Sequence, residues 1–138
     1  MGKNRLTQSY VFTPEELKPG FLLGILEQNP NYKIIIFSKS CRECTLMSET
    51  LKKLEYNVVC LHSFMKFNQR VANLAKFRTD EAKILVTTDL TSRGLDISHV
   101  NLVVNYHLPR KVSDYVHRVG RTARNGYQGE AITFVTQY

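Results

Sequence analysis

The chain has 138 residues, and its 19 Lys and Arg against 12 Asp and Glu give a formal charge of +7. That length suits one domain, residues 1–138, able to bury roughly two-thirds of its unfolded surface. The positive balance favours a polyanionic partner and excludes acidic mimicry or a solvated acidic tail, without distinguishing RNA, DNA and anionic lipid. No apolar run reaches the roughly 18 residues of a membrane span, and the N-terminus lacks a secretory apolar core, so the chain reads as soluble and intracellular, with no membrane partner.

Residues 1–12 read as an approach strand, with Pro14, Pro19 and Gly20 as punctuation. Helical stripes over 18–28, 40–55, 66–78 and 112–119 then alternate with strand-like runs at 33–38, 58–62, 83–87, 102–105 and 130–136. Continuous apolar runs such as Ile34-Ile-Ile-Phe37 and Ile84-Leu-Val86 indicate strands covered on both faces. The expected fold is therefore α/β, a mostly parallel sheet sandwiched between helices in three layers. The last strand ends close to Tyr138, so a covering helix is expected in a longer parent protein.

Cys41 and Cys44 have zinc-ligand spacing, and Cys60 with His62 could complete a four-ligand set. A competing pattern is stronger: Cys41, Cys44, Met47, Leu51 and Leu54 recur every three or four residues, as on a helix packed against a core. Cys60 lies in the strand-like run Val58-Val-Cys-Leu61. Core thiols, not metal ligands, are the expectation, and an odd count of three also argues against a secreted disulfide framework.

Two segments carry the chemistry. Arg118, Arg121 and Arg124 crowd His117-Arg-Val-Gly-Arg-Thr-Ala-Arg124, and Thr88-Asp-Leu-Thr-Ser-Arg-Gly-Leu-Asp96 precedes it. Guanidinium forks match phosphate oxygens, and a nearby glycine admits close approach, so a polyphosphate ligand is expected. Ligands of parallel sheets collect beyond the carboxyl ends of the strands, where the loops holding Ser38, His62, Thr88 and Asp89 would open. No Gly-x-x-x-x-Gly-Lys-Ser/Thr loop and no Asp-Glu-Ala-Asp run is present, so this chain alone is expected to be inactive toward ATP.

With Ile35-Ile-Phe37, these segments resemble motifs IV, V and VI of helicases, and nearly the whole chain resembles the second, C-terminal RecA-like domain of a DEAD-box ATP-dependent RNA helicase. The resemblance implies a fragment of a larger two-domain enzyme, with ATP and Mg2+ held mainly by the absent N-terminal RecA-like domain. It implies that Arg121 and Arg124 face the γ-phosphate, Arg124 as arginine finger, released as a loop by Gly120 at the end of the short helix. Asp96 would hold the ribose hydroxyls and Gly94 would let the main chain approach nucleotide or RNA. Arg93 and His117 would couple the two domains, while Arg70, Thr88 and Gly94 would hold RNA, single-stranded or in short duplexes.

Leu61-His-Ser-Phe-Met-Lys66 and Phe134-Val-Thr-Gln-Tyr138 are most similar to nucleolar members serving small-subunit ribosome biogenesis and pre-rRNA processing, which implies a nuclear, nucleolar location and protein cofactors. Two positions depart from the family pattern. Phe67 stands where glutamine is expected, which weakens the support of Arg70, and Ala123 replaces the commoner glycine, a change expected to be mild. From the residues alone, Asp96 also reads as a turn cap and Arg70 as a solvated helix residue. A free-standing binding module and a DNA-directed helicase stay open as alternatives.

Overall fold

The computed structural model describes residues 5–89, 97, 100–123 and 128–136. Its centre is β2 (Ile34–Phe37), whose four side chains are all buried. Because successive strand residues point to opposite faces, Ile34 and Ile36 enter one apolar layer and Ile35 and Phe37 the other. The same division runs through β4 (Ile84–Thr87) and β5 (Leu102–Asn105). Burial of each such aliphatic side chain stabilises the fold by about 1.5–3 kcal/mol.

Helices α1 (Lys18–Gln28) and α2 (Cys41–Lys53) cover the first layer through Leu22, Leu26, Cys44 and Leu51. Helix α3 (Phe67–Arg78) covers the second through Phe77 and Leu74. The start of α2 is set locally: the Ser40 side chain accepts from Glu43 N at 3.1 Å, and a Glu43 carboxylate oxygen accepts from Lys39 N at 2.9 Å. The first bond satisfies an otherwise orphaned helix donor, and the second fixes the entering residue Lys39 against the first turn. Lys52 and Lys53 at the other end complement the negative helix terminus.

All strand pairings are parallel, in the order β1-β6-β5-β2-β4-β3, where β1 is Arg5–Phe12, β3 is Val58–Leu61 and β6 is Gln128–Val135. The approach strand expected in 1–12 thus pairs with β6 along its whole length, and the strand expected at 130–136 starts earlier, at Gln128. From β2 the chain runs outward to β3 and back to β4, then crosses to β5 and β6. At this reversal β2 and β5 are neighbours whose following connections leave on opposite faces. Helix α2 belongs to the Ile36 layer, while Arg118 of α4 (Val112–Val119) lies 5.1 Å from the Phe37 ring on the other side. A crevice must open between them at the carboxyl ends.

Cys44 follows the core reading and Cys60 packs partly buried against the same layer, whereas Cys41, expected on the core stripe, is half-buried at the crevice with its sulfur 3.5 Å from Ser63 Oγ. Cys44 is fully buried with its sulfur 3.1 Å from the Val86 carbonyl, and its neighbour Cys60 together with burial pushes its thiol up, so it stays neutral. Leu54, expected on the same stripe, instead caps the helix and is exposed.

Candidate functional site

The crevice at the β2/β5 reversal holds about 580 Å³ and is lined by Ser38 and Lys39 after β2, Ser63 after β3, Thr88 and Asp89 after β4, and His107 to Arg110, Asp114 and Arg118 beyond β5. That volume is in the range of ligand sites. His62, expected in an opening loop, faces inward instead. Its Nδ1 accepts from Phe64 N at 3.2 Å, leaving Nε2 to donate to Thr45 Oγ1 at 2.8 Å.

Arg118 joins the two chemistry-bearing segments. The residue is 5% exposed, and its Nε and a terminal nitrogen each donate at 2.6 Å to one carboxylate oxygen of Asp89. The other terminal nitrogen donates at 3.2 Å to Asn105 Oδ1 and to the His107 carbonyl. Asn105 presents that oxygen because its amide nitrogen donates to Thr133 Oγ1 at 3.0 Å inside the sheet. A two-pronged, charge-assisted pair of this kind is directional as well as strong. Sequence reasoning counted Arg118 among the guanidiniums suited to a polyphosphate and put Asp89 in a loop at the ligand edge, but did not pair them; the structure commits Arg118 to Asp89 instead. Each sat inside a recognised motif, but nothing local signals that an arginine will be buried against a carboxylate 29 positions away.

His107 extends the network to the other face. Its Nε2 is 2.8 Å from Glu43 and its Nδ1 is 2.9 Å from the buried Lys18 Nζ, which also pairs with Glu15 at 3.1 Å. Burial works against the Glu43 carboxylate, yet the His107 hydrogen bond and the Lys39 amide hold it below its ordinary range. The first turn of α2 is thereby tied to the loop after β5.

Beyond α4 the chain is pinned, not released. Gly120 has φ −64°, and a Cβ there would stand 3.1 Å from the Val116 carbonyl. Arg121 O accepts from Val100 N at 3.2 Å, and Thr122 Oγ1 donates to Val100 O at 2.6 Å. Ala123 is buried at φ 53°, in the left-handed region that favours glycine, so its departure from the family pattern is not mild but costs about 1–2 kcal/mol. Gly129 closes this seam: a methyl there would overlap Thr122 Oγ1 and the Ala123 amide, with Ala123 Cα only 2.9 Å away. Gly129→Ala is expected to lower stability by about 1–3 kcal/mol through this overpacking, as read by denaturant unfolding.

Of the predicted site residues, Thr88 is half-buried in the crevice and Arg121 half-buried on the pinned segment, whereas His117 is exposed on α4. Arg70 lies in the first turns of α3, where its Nε is enclosed with no hydrogen-bond partner among the described residues. Phe67, which stands where the supporting glutamine was expected, and Gln69 nearby are both exposed. Arg93, Gly94, Asp96 and Arg124 lie outside the described residues.

Residues 17–126 match the family described as "Helicase conserved C-terminal domain", and the chain belongs to that family. It is 44% identical to the human protein named "Probable ATP-dependent RNA helicase DDX49", over 97% of this chain and 29% of that protein. The chain thus spans under a third of this relative's length. The fold is that of DEAD-box helicase domains. It superposes on the yeast DEAD-box splicing factor Prp28 with a TM-score of 0.88, at 33% identity, over 97% of this chain and 30% of that one. The solved structure of the Mss116p DEAD-box helicase domain 2 bound to an RNA duplex is similar with a TM-score of 0.78, at 28% identity, over 95% of this chain and 54% of that one.

Proposed function

We propose that this chain is the C-terminal half of an ATP-dependent RNA helicase, which clamps single-stranded RNA and supplies arginines for ATP hydrolysis by a paired N-terminal domain. The observation that carries the reading is the Arg118–Asp89 pair at the crevice, which ties the segment beginning at Thr88 to the one ending at Arg124. A displacement of either segment is thereby felt by the other.

The donor chemistry fits both anions. Arg121 sits on a main chain fixed to Val100, and a cation on a pinned segment loses little freedom when it meets a phosphate. In this reading Arg121 and Arg124 meet the γ-phosphate, Asp96 takes the ribose hydroxyls, and Gly94 admits nucleotide or RNA backbone. Arg93 and His117 couple the chain to the N-terminal domain, which holds most of the ATP and the Mg2+; the metal would neutralise charge on the phosphates there. Closure of the two domains grips RNA along a bent path, and reopening follows hydrolysis and phosphate release.

Thr88 and Arg70 grip the RNA backbone without reading its bases. Arg70 supports this role as a half-buried guanidinium in the first turns of α3, a donor fork suited to phosphate oxygens. Arg70→Ala is expected to weaken RNA binding and to reduce the slope of log affinity against log salt by about one phosphate's worth. An unchanged slope removes Arg70 from the contacts.

In this reading the chain works in small-subunit ribosome biogenesis, on pre-rRNA, with protein cofactors; the similarity of Leu61–Lys66 and of the C-terminal residues to nucleolar members supports it. RNA-stimulated ATPase of the two-domain protein tests the central claim. Turnover that ignores RNA, or equal turnover by the isolated chain, would refute it.

A further inference from the structure

Two exposed aromatic residues lie three positions apart where the chain passes from the carboxyl end of β3 into α3. Phe64, in the turn after β3, is 86% exposed, and Phe67, the first residue of α3, is 74% exposed. An exposed leucine or phenylalanine is ordinary on its own. Here the exposure is built, because the turn is held by Phe64 N on His62 Nδ1 at 3.2 Å and Met65 N on His62 O at 3.2 Å. His62 is in turn anchored to Thr45, and Met65 tucks its sulfur 3.8 Å from Cys60 Sγ. One side chain of the turn is drawn inward while its neighbour Phe64 stands out.

The rings are interleaved with cations. Lys66 precedes Phe67, and Arg70 follows it by three positions, which places the Phe67 ring and the Arg70 guanidinium on one helical face. Ser63, beside Phe64, lines the crevice that also holds Thr88. Flat rings alternating with cations along such an edge match the two faces of a nucleic acid strand, whose phosphates meet the cations and whose unstacked bases lie on the rings.

We propose that Phe64 and Phe67 form a stacking platform for unpaired bases of the strand whose phosphate Arg70 takes. The inference rests on the RNA-binding reading above and adds base contacts to a grip otherwise confined to the backbone. Every base has a π face, so the platform is tolerant of sequence, yet it requires bases that are unpaired. A protein surface is the alternative occupant, but nothing in the cationic flanks favours it over a polyanion.

The test uses the 138-residue chain with Phe64→Ala and Phe67→Ala together, and with both changed to Tyr. Binding is read by fluorescence anisotropy to a uridine homopolymer and to the same ribose-phosphate strand without bases, across a salt series. The alanine variant is expected to bind the uridine strand about 10- to 100-fold more weakly with an unchanged salt slope, since stacking releases no counterions. Wild type is expected to lose a similar factor on the baseless strand, on which the variant loses little more, and the tyrosine variant to retain wild-type affinity. Equal binding of the uridine strand by wild type and alanine variant overturns the inference alone, and is the result a protein-docking surface gives. A loss equally large on the baseless strand also overturns it. If wild type binds neither strand, the RNA reading falls and this inference with it.

Discussion

Arg124→Ala in the two-domain protein is expected to lower RNA-stimulated ATP turnover by about 10³- to 10⁵-fold, the range spanned by arginine fingers in related nucleotide hydrolases. In barrier height this is roughly 4–7 kcal/mol, far above the about 0–1 kcal/mol of an exposed ion pair. The difference arises because a finger's charge meets charge that develops at the γ-phosphate inside a closed, water-poor cleft. Ala123, the residue before Arg124 in sequence, is buried and held in the left-handed region. Arg124→Ala is expected to leave the unfolding midpoint of the chain unchanged. Turnover within about threefold of wild type would show that Arg124 is a solvated cation; loss of turnover with loss of folding would show that it is structural.

Arg118→Ala is expected to destabilise the chain by about 3–5 kcal/mol, as for other buried ion pairs deprived of one partner. The substitution removes the Arg118 donors from the Asp89 carboxylate, Asn105 Oδ1 and the His107 carbonyl, together with the group lying over the Phe37 ring. Asp89 is 29% exposed on its side chain and is partly rehydrated, which places the effect toward the lower end. Against a total stability of about 5–15 kcal/mol this is a large fraction. Arg118→Lys is expected to recover only part of the loss, because an ammonium cannot span both carboxylate oxygens and Asn105 at once. Denaturant unfolding of Arg118→Ala, Asp89→Ala and the double variant measures the coupling directly. A coupling under about 0.5 kcal/mol would mean that the pair does not join the two segments.

Local chemistry made much of the fold legible. The uninterrupted Ile34–Phe37 run appears as the buried centre of a parallel sheet, and the helical stripe through Cys44 and Leu51 packs on it. Where reading from residues fell short, long-range packing was the reason. Gly120 read as a release point, but the structure holds Arg121 and Thr122 through Val100, a contact from another part of the chain. Ala123 read as a harmless methyl, because backbone sign at one position is set by the seam with Gly129 and not by its neighbours in sequence. His62 read as an edge residue, yet its two hydrogen bonds turn it into the scaffold of the turn that exposes Phe64.

The amino-acid order alone determined the element types, the parallel α/β class and the two motif segments, since apolar periodicity and the residue types that suit phosphate are local properties. The strand order, the crevice at the β2/β5 reversal, the burial of Arg118 against Asp89 and the enclosure of Arg70 Nε were decided only by tertiary structure. Each of these depends on which distant segments share a face once the sheet has closed, and chain pairing across such separations leaves no trace in the residues next to it.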